Sequence, residues 1–188
     1  MAERASERET GDKAARFKAL ALPHLDDVYT LARYLIRNAT DADDAVQECY
    51  LRAFRHFDTF RGGAIKPWLL AILRNVCHAA RAGGTRLVYT ADTPADDAAL
   101  VPLWREAIDT PEQAMLRQHS SGTMQRLLGE LPAEFREVVV LREVNELSYR
   151  EIATVIEAPI GTVMSRLSRG RDLLRAAWLA AEAKDDAQ

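Results

Sequence analysis

The chain has 188 residues, room for one domain or two small ones, and 48% of them are hydrophobic, enough for packed cores. Nine glycines and seven prolines are too few for a fibrous or low-complexity protein. A net charge of −3 argues against indiscriminate coating of nucleic acid, and two cysteines, Cys49 and Cys77, give no disulfide framework and no repeated metal spacing.

The predicted elements are all helices, because strand punctuation is scarce and alanine, leucine and arginine dominate. Residues 1–14 are polar and expected to be a flexible N-terminus, without the apolar core of a signal peptide. Phe17, Leu20, Leu25, Val28, Leu31, Leu35 and Ile36 then recur at helical spacing, which predicts a helix over 13–38 with a break near Pro23. Thr40-Asp41-Ala42-Asp43 marks the start of the next helix, with acids in the first turn where the macrodipole favours them. On that helix Asp44, Gln47 and Glu48 share one face, with Asp41 a turn earlier, while Ala45, Val46 and Leu51 are expected to turn inward. Such an acid-and-amide stripe suits a basic or amide-rich protein surface; a merely solvated face explains it equally well.

Residues 57–63 read as a loop, and Pro67 opens a helix through Trp68, Leu69, Ile72, Val76 and Ala79 that Gly83-Gly84 ends. The longest strongly apolar run, residues 68–73, is far too short to span a bilayer, so a soluble, cytoplasmic protein without membrane insertion is expected. Charge is unevenly placed. Residues 59–91 hold five basic side chains (Arg61, Lys66, Arg74, Arg81, Arg86) and no acid. Residues 92–112 hold six acids against Arg105 alone. Phosphates attract the first block and a polyanion avoids the second. Residues 85–110, with clustered Gly, Pro and Asp, are expected to be a linker, with a short helical turn around 103–108.

A second domain is expected over 111–183, with a helix ending at Gly129, a helix over 132–144 with Phe135, Val138, Val139 and Leu141 available for packing, and a polar tail over 184–188. Its most informative segment is 148–171, which reads as a helix, a tight turn at Pro159 and a second helix. Ile152, Ala153 and Ile156 give the first helix a narrow apolar face, and Val163 and Leu167 turn the second inward. Thr162, Ser165, Arg166 and Arg169 point the other way. From Pro159 to Trp178 there are four arginines (Arg166, Arg169, Arg171, Arg175) and one acid, Asp172. A basic, polar face on the second helix of such a pair is a DNA-reading face; the alternative is a solvated amphipathic hairpin. His24, His56, His78 and His119 are scattered, so neither a metal site nor a cofactor is expected. No nucleophile, base or phosphate loop stands at a sensible spacing, which excludes an enzyme.

Two small helical domains joined by an acidic linker make a family recognisable. The run Asp41-Ala-Asp-Asp-Ala-Val-Gln-Glu-Cys-Tyr-Leu-Arg-Ala-Phe54 resembles the DAEDLVQE-x-F-L-x-A-W signature of bacterial sigma factors. Residues 60–75, Phe-Arg-Gly-Gly-Ala-Ile-Lys-Pro-Trp-Leu-Leu-Ala-Ile-Leu-Arg-Asn, resemble the adjoining stretch of the extracytoplasmic-function group. Residues 131–138 and 141–153 are similar to the fourth conserved region of that group. The resemblance covers nearly all of residues 15–180 in the family's order. It implies an all-α fold with region two over 15–84 and region four over 111–183.

It further implies an alternative sigma factor that binds core RNA polymerase, directs it to a two-part promoter and is held in check by an anti-sigma factor. Asp41, Asp44, Gln47 and Glu48 would then meet the β′ clamp helices, with the β flap as a further polymerase contact. Arg61, Lys66, Arg74 and Asn75 would serve the minus-ten element, Asn75 at the flipped-base pocket. Thr162, Ser165, Arg166 and Arg169 would serve the minus-thirty-five element, with Arg171 near the backbone. The acidic linker would run through the polymerase cleft and exit channel as a phosphate mimic, or act as a solvated tether. Two departures stand out: Glu157 where the turn often has glycine, and Met164 where the family frequently has a basic residue. The alternatives to this reading are a sigma-like decoy that binds only an anti-sigma factor and a stand-alone helix-turn-helix regulator.

Overall fold

The computed structural model describes residues 2–36, 38–82 and 123–185. These are helical almost throughout, and no strand occurs among them. The expected linker over 85–110, its short turn, and the start of the helix expected before Gly129 lie outside the described residues. Two compact units divide the chain. One is built on the helices before residue 83, and the other on those after residue 122 apart from Thr154–Glu157.

In the first unit α1 (Ala2–Ala21) leads through a short 3-10 turn at Leu22–His24 into α2 (Leu25–Leu35), so the break near Pro23 is present. The polar stretch expected to be a flexible N-terminus belongs to α1, which starts at Ala2 rather than near Lys13. Ala, Glu and Arg, strong helix formers, fill its first turns, and the single Gly11, costing about 1 kcal/mol, does not interrupt them. Its far end is held by packing: the Phe17 ring meets Tyr50, Phe54 and Phe57 edge-on, with centroids 5.3 to 6.2 Å away. Lys13 pairs with Asp58, and the Tyr50 hydroxyl donates to the Ala21 carbonyl at 2.9 Å.

Next come α3 (Ala39–Arg55), a 3-10 turn at Phe57–Thr59 and α4 (Ile65–Ala82). The cap of α3 is Asn38 rather than Thr40: its side-chain oxygen accepts from the Asp41 N–H at 3.2 Å. Helices α2, α3 and α4 pack pairwise. Their buried faces carry Val28, Leu31 and Leu35, then Ala42, Ala45, Val46 and Cys49, then Leu69, Leu70, Leu73 and Cys77. Each fully buried Leu or Val contributes about 1.5–3 kcal/mol. Leu51 does not join them. It is 52% exposed, the reverse of the inward position expected for it. The inward face of α3 is set by Ala42, Ala45, Val46, Cys49 and Ala53, and a helix of about 3.6 residues per turn puts Leu51 opposite. Burial raises the Cys49 thiol to about 12, so it is a protonated core residue.

After residue 122 come α5 (123–130), α6 (Ala133–Val139), α7 (Tyr149–Ile156) and α8 (Ile160–Asp185), all but Thr154–Glu157 in the second unit. The single helix expected over 132–144 is instead α6 followed by a π-helical turn at Val140–Val144, closed by a bond from the Asn145 N–H to the Val140 carbonyl at 3.0 Å. Val138, Val139 and Leu141 are buried as expected, whereas Phe135 is only half-buried. The buried Arg136 guanidinium donates to the Leu131 carbonyl at 2.8 Å, satisfying an acceptor at the end of the preceding helix. Helix α8 packs on α6 closely enough that a Cβ on the buried Gly170 would lie 2.7 Å from Val139 Cγ2.

Candidate nucleic-acid interface

The helix-turn-helix of the second unit is built by its own sequence. Ser148 and Glu151 form a reciprocal cap at the start of α7. The Ser148 N–H donates to the Glu151 carboxylate at 2.8 Å, and the Glu151 N–H donates to Ser148 Oγ at 3.3 Å. At the other end Glu157 takes φ +53°, the left-handed conformation that favours glycine, and the Ala158 N–H reaches back to the Ala153 carbonyl at 3.0 Å. That is a Schellman turn with glutamate in the glycine position. The departure at Glu157 therefore leaves the turn geometry in place at a local cost. Pro159 then caps α8, its carbonyl accepting from Thr162 and Val163 at 2.9 and 3.2 Å.

On α8 the buried Val163, Leu167 and Gly170 fix the inward side. Ser165 and Arg169 are exposed and Thr162 is half-buried. Arg166 and Arg171 sit in ion pairs that the sequence did not reveal: Arg166 Nη2 lies 3.5 Å from Glu134 Oε2, and Arg171 Nη2 lies 2.6 Å from Glu143 Oε1. The bonds to Glu143 hold the Arg171 guanidinium above its ordinary range. Among the described residues Arg169 has no ion-pair partner. The expected five-residue face is thus divided: Ser165 and Arg169 are presented outward, Thr162 is half-buried, and Arg166 and Arg171 are each paired with an acid. Met164, noted in the sequence as a departure, and Ser168, which sequence reasoning omitted, are exposed on the same turns. Counting helical steps from Val163 and Leu167 would have found Ser168.

In the first unit the α3 stripe is present as a surface. Asp44 and Gln47 are exposed, Asp41 is half-buried, and Glu48 accepts from Arg52 at 2.6 Å. Leu51, two turns after Asp44, continues the stripe with an apolar side chain. The loop between the 3-10 turn and α4 is exposed over Arg61, Gly62, Gly63 and Ala64. Gly62 and Gly63 have φ +89° and +92°, and a Cβ on either would meet nothing within 4 Å. Backbone conformation, not crowding, requires glycine there. Lys66 and Asn75 are nine residues apart on α4, two and a half turns, and so lie on opposite sides. Lys66 is turned to α2, with Nζ 2.8 Å from Asp27 Oδ1, while Asn75 is exposed and Arg74 half-buried. The structure therefore brings Arg61 and Asn75 to the surface but gives Lys66 an internal partner.

Among the described residues no three His, Cys, Asp or Glu side chains converge as metal ligands, and no helix is long and apolar enough to cross a membrane.

Comparison with known proteins agrees with this geometry in both units. Residues 20–86 match Sigma-70 region 2, and residues 121–174 match Sigma-70, region 4. The RNA polymerase sigma-H factor of Pseudomonas aeruginosa is 34% identical over 169 residues, covering 88% of this chain and 87% of that protein. The ECF RNA polymerase sigma-E factor of Haemophilus influenzae is 33% identical over 170 residues, covering 88% of each. Among solved structures, the sigma factor RpoE of Bartonella quintana, in complex with the anti-sigma factor NepR, is similar with a TM-score of 0.67 and 27% identity. That match covers 87% of this chain and 96% of RpoE.

Proposed function

Since the chain belongs to the extracytoplasmic-function group of RNA polymerase sigma factors, we propose that it acts as an alternative sigma factor with a division of labour between its two units. It associates with core RNA polymerase and directs it to a two-part promoter. It has no reaction centre of its own, because nucleotide transfer belongs to the polymerase. An anti-sigma factor restrains it, as the RpoE complex with NepR suggests by likeness.

The first unit, taken as 15–84, docks on the polymerase through Asp41, Asp44, Gln47 and Glu48 on α3 and addresses the minus-ten element. Opening a duplex there costs a few kcal/mol per unstacked base, which contacts to extruded bases must offset. Arg61 and Asn75 supply the exposed polar groups, with Arg74 beside them; Lys66 contributes mainly by fixing α4 against α2 through Asp27. The second unit, taken as 111–183, lays α8 in the major groove of the minus-thirty-five element, with Ser165 and Arg169 as its leading contacts. Residues 85–110 connect the two.

The observation that carries this reading is the intact α7–turn–α8 in a chain whose other unit retains the exposed acid-and-amide stripe of α3. It is tested by sequencing transcripts made by core RNA polymerase with and without the purified chain. New start sites preceded by a common two-part sequence are expected. An unchanged set of start sites would refute the reading and favour a decoy that binds only an anti-sigma factor.

A further inference from the structure

Met164 is 53% exposed, in the part of α8 that also carries the exposed Ser165, Ser168 and Arg169. It lies in the second turn of α8, four residues before the exposed Ser168 and next to the exposed Ser165. Ile160, four residues earlier, is 43% exposed, so the leading end of α8 carries an apolar edge beside its polar face. The Met164 side chain borders a shallow pocket shared with Tyr149, Ser168 and Arg171.

A thioether offers no donor for guanine or adenine and no effective acceptor for cytosine. In the major groove one base edge carries an apolar group, the C5-methyl of thymine. We infer that Met164 is a specificity-determining residue that packs on a thymine methyl in the upstream promoter element, while the neighbouring serines and Arg169 contact polar edges or phosphates. The inference rests on the promoter-binding reading above. It commits α8 to a base preference that an arginine or lysine at this position would not give, since a cation there would favour phosphate or guanine. A flexible, unbranched side chain also tolerates small shifts of the helix in the groove without losing the contact.

The test uses core polymerase reconstituted with the full chain and a duplex library randomised across the upstream element. Selected duplexes should carry thymine at one fixed position. Replacing that thymine by deoxyuridine, which removes only the methyl, should weaken wild-type holoenzyme binding about fourfold, the factor expected for burying one methyl. Because Met164 is exposed, M164A should fold normally; it should bind the thymine and deoxyuridine duplexes equally, and M164K should select a different base there. No thymine enrichment, equal binding of both duplexes by the wild type, or an M164A protein that keeps the methyl preference would each overturn the inference. The deoxyuridine comparison needs no variant and stands even if a substitution harms folding. Failure to select any duplex would overturn the promoter reading itself, and with it this one.

Discussion

Arg171 on α8 donates twice to a single oxygen of Glu143, from Nε at 3.1 Å and from Nη2 at 2.6 Å. The pair joins α8 to the π-helical turn after α6, and both side chains are about half exposed, at 49% each. Exposed ion pairs contribute less than about 1 kcal/mol, so its value is positional rather than stabilising. Glu143→Gln should leave the thermal midpoint almost unchanged and free Arg171 to meet a phosphate. The log–log salt dependence of holoenzyme binding should then steepen by about 0.9. An unchanged slope with a clear loss of stability would instead make Arg171 a brace of the helix-turn-helix.

Lys66 and Asn75 should separate cleanly. Asn75→Ala removes an exposed amide, so it should leave folding intact and reduce promoter opening, read as permanganate reactivity of unpaired thymines. Lys66→Ala breaks a part-buried pair with Asp27 and should lower stability by about 1 kcal/mol, with a smaller effect on opening once the protein is folded. The reverse pattern would return Lys66 to the DNA surface.

Leu51 belongs to the polymerase-facing surface in this account. Leu51→Ala removes little buried area and should change stability by less than about 0.5 kcal/mol. Its association with core enzyme should weaken several-fold, about the amount expected for losing an apolar contact at an interface. A variant that binds core enzyme as tightly as the wild type would remove Leu51 from that surface.

Glu157 holds a left-handed backbone that costs an L-residue about 1–2 kcal/mol. Glu157→Gly removes that cost, partly offset by the greater freedom of glycine when unfolded. A net gain of up to about 1 kcal/mol is expected in denaturant unfolding. A loss would mean that the glutamate side chain supports the turn by itself.

Much of this was legible along the chain. The stop at Pro159 and the inward Val163 and Leu167 follow from local rules, because each involves residues within a turn or two of one another. The break near Pro23 is of the same kind. Leu51 was readable too, but its apolar character was given more weight than its position opposite Ala45 and Cys49. Partners distant in sequence were not readable. Lys66 meets Asp27 across two helices, and Glu134 and Glu143 reach Arg166 and Arg171 only after α6 packs on α8. No spacing rule encodes such pairs, so the acidic partners of Lys66, Arg166 and Arg171 could not be read from pattern or resemblance. The π-helical turn was hidden for a different reason: the buried Val140 and Leu141 simply continue the apolar run of Val138 and Val139, so nothing in the pattern marks where the α-helix ends.

The central claim is that the two units recognise separate stretches of a promoter only as part of the polymerase. Footprinting one promoter fragment with the chain alone, core enzyme alone and the two combined tests it most directly. The account predicts two protected patches, separated by a spacer, with the combination and with neither component by itself. Protection by the free chain, or a combination that protects no more than core enzyme, would contradict it.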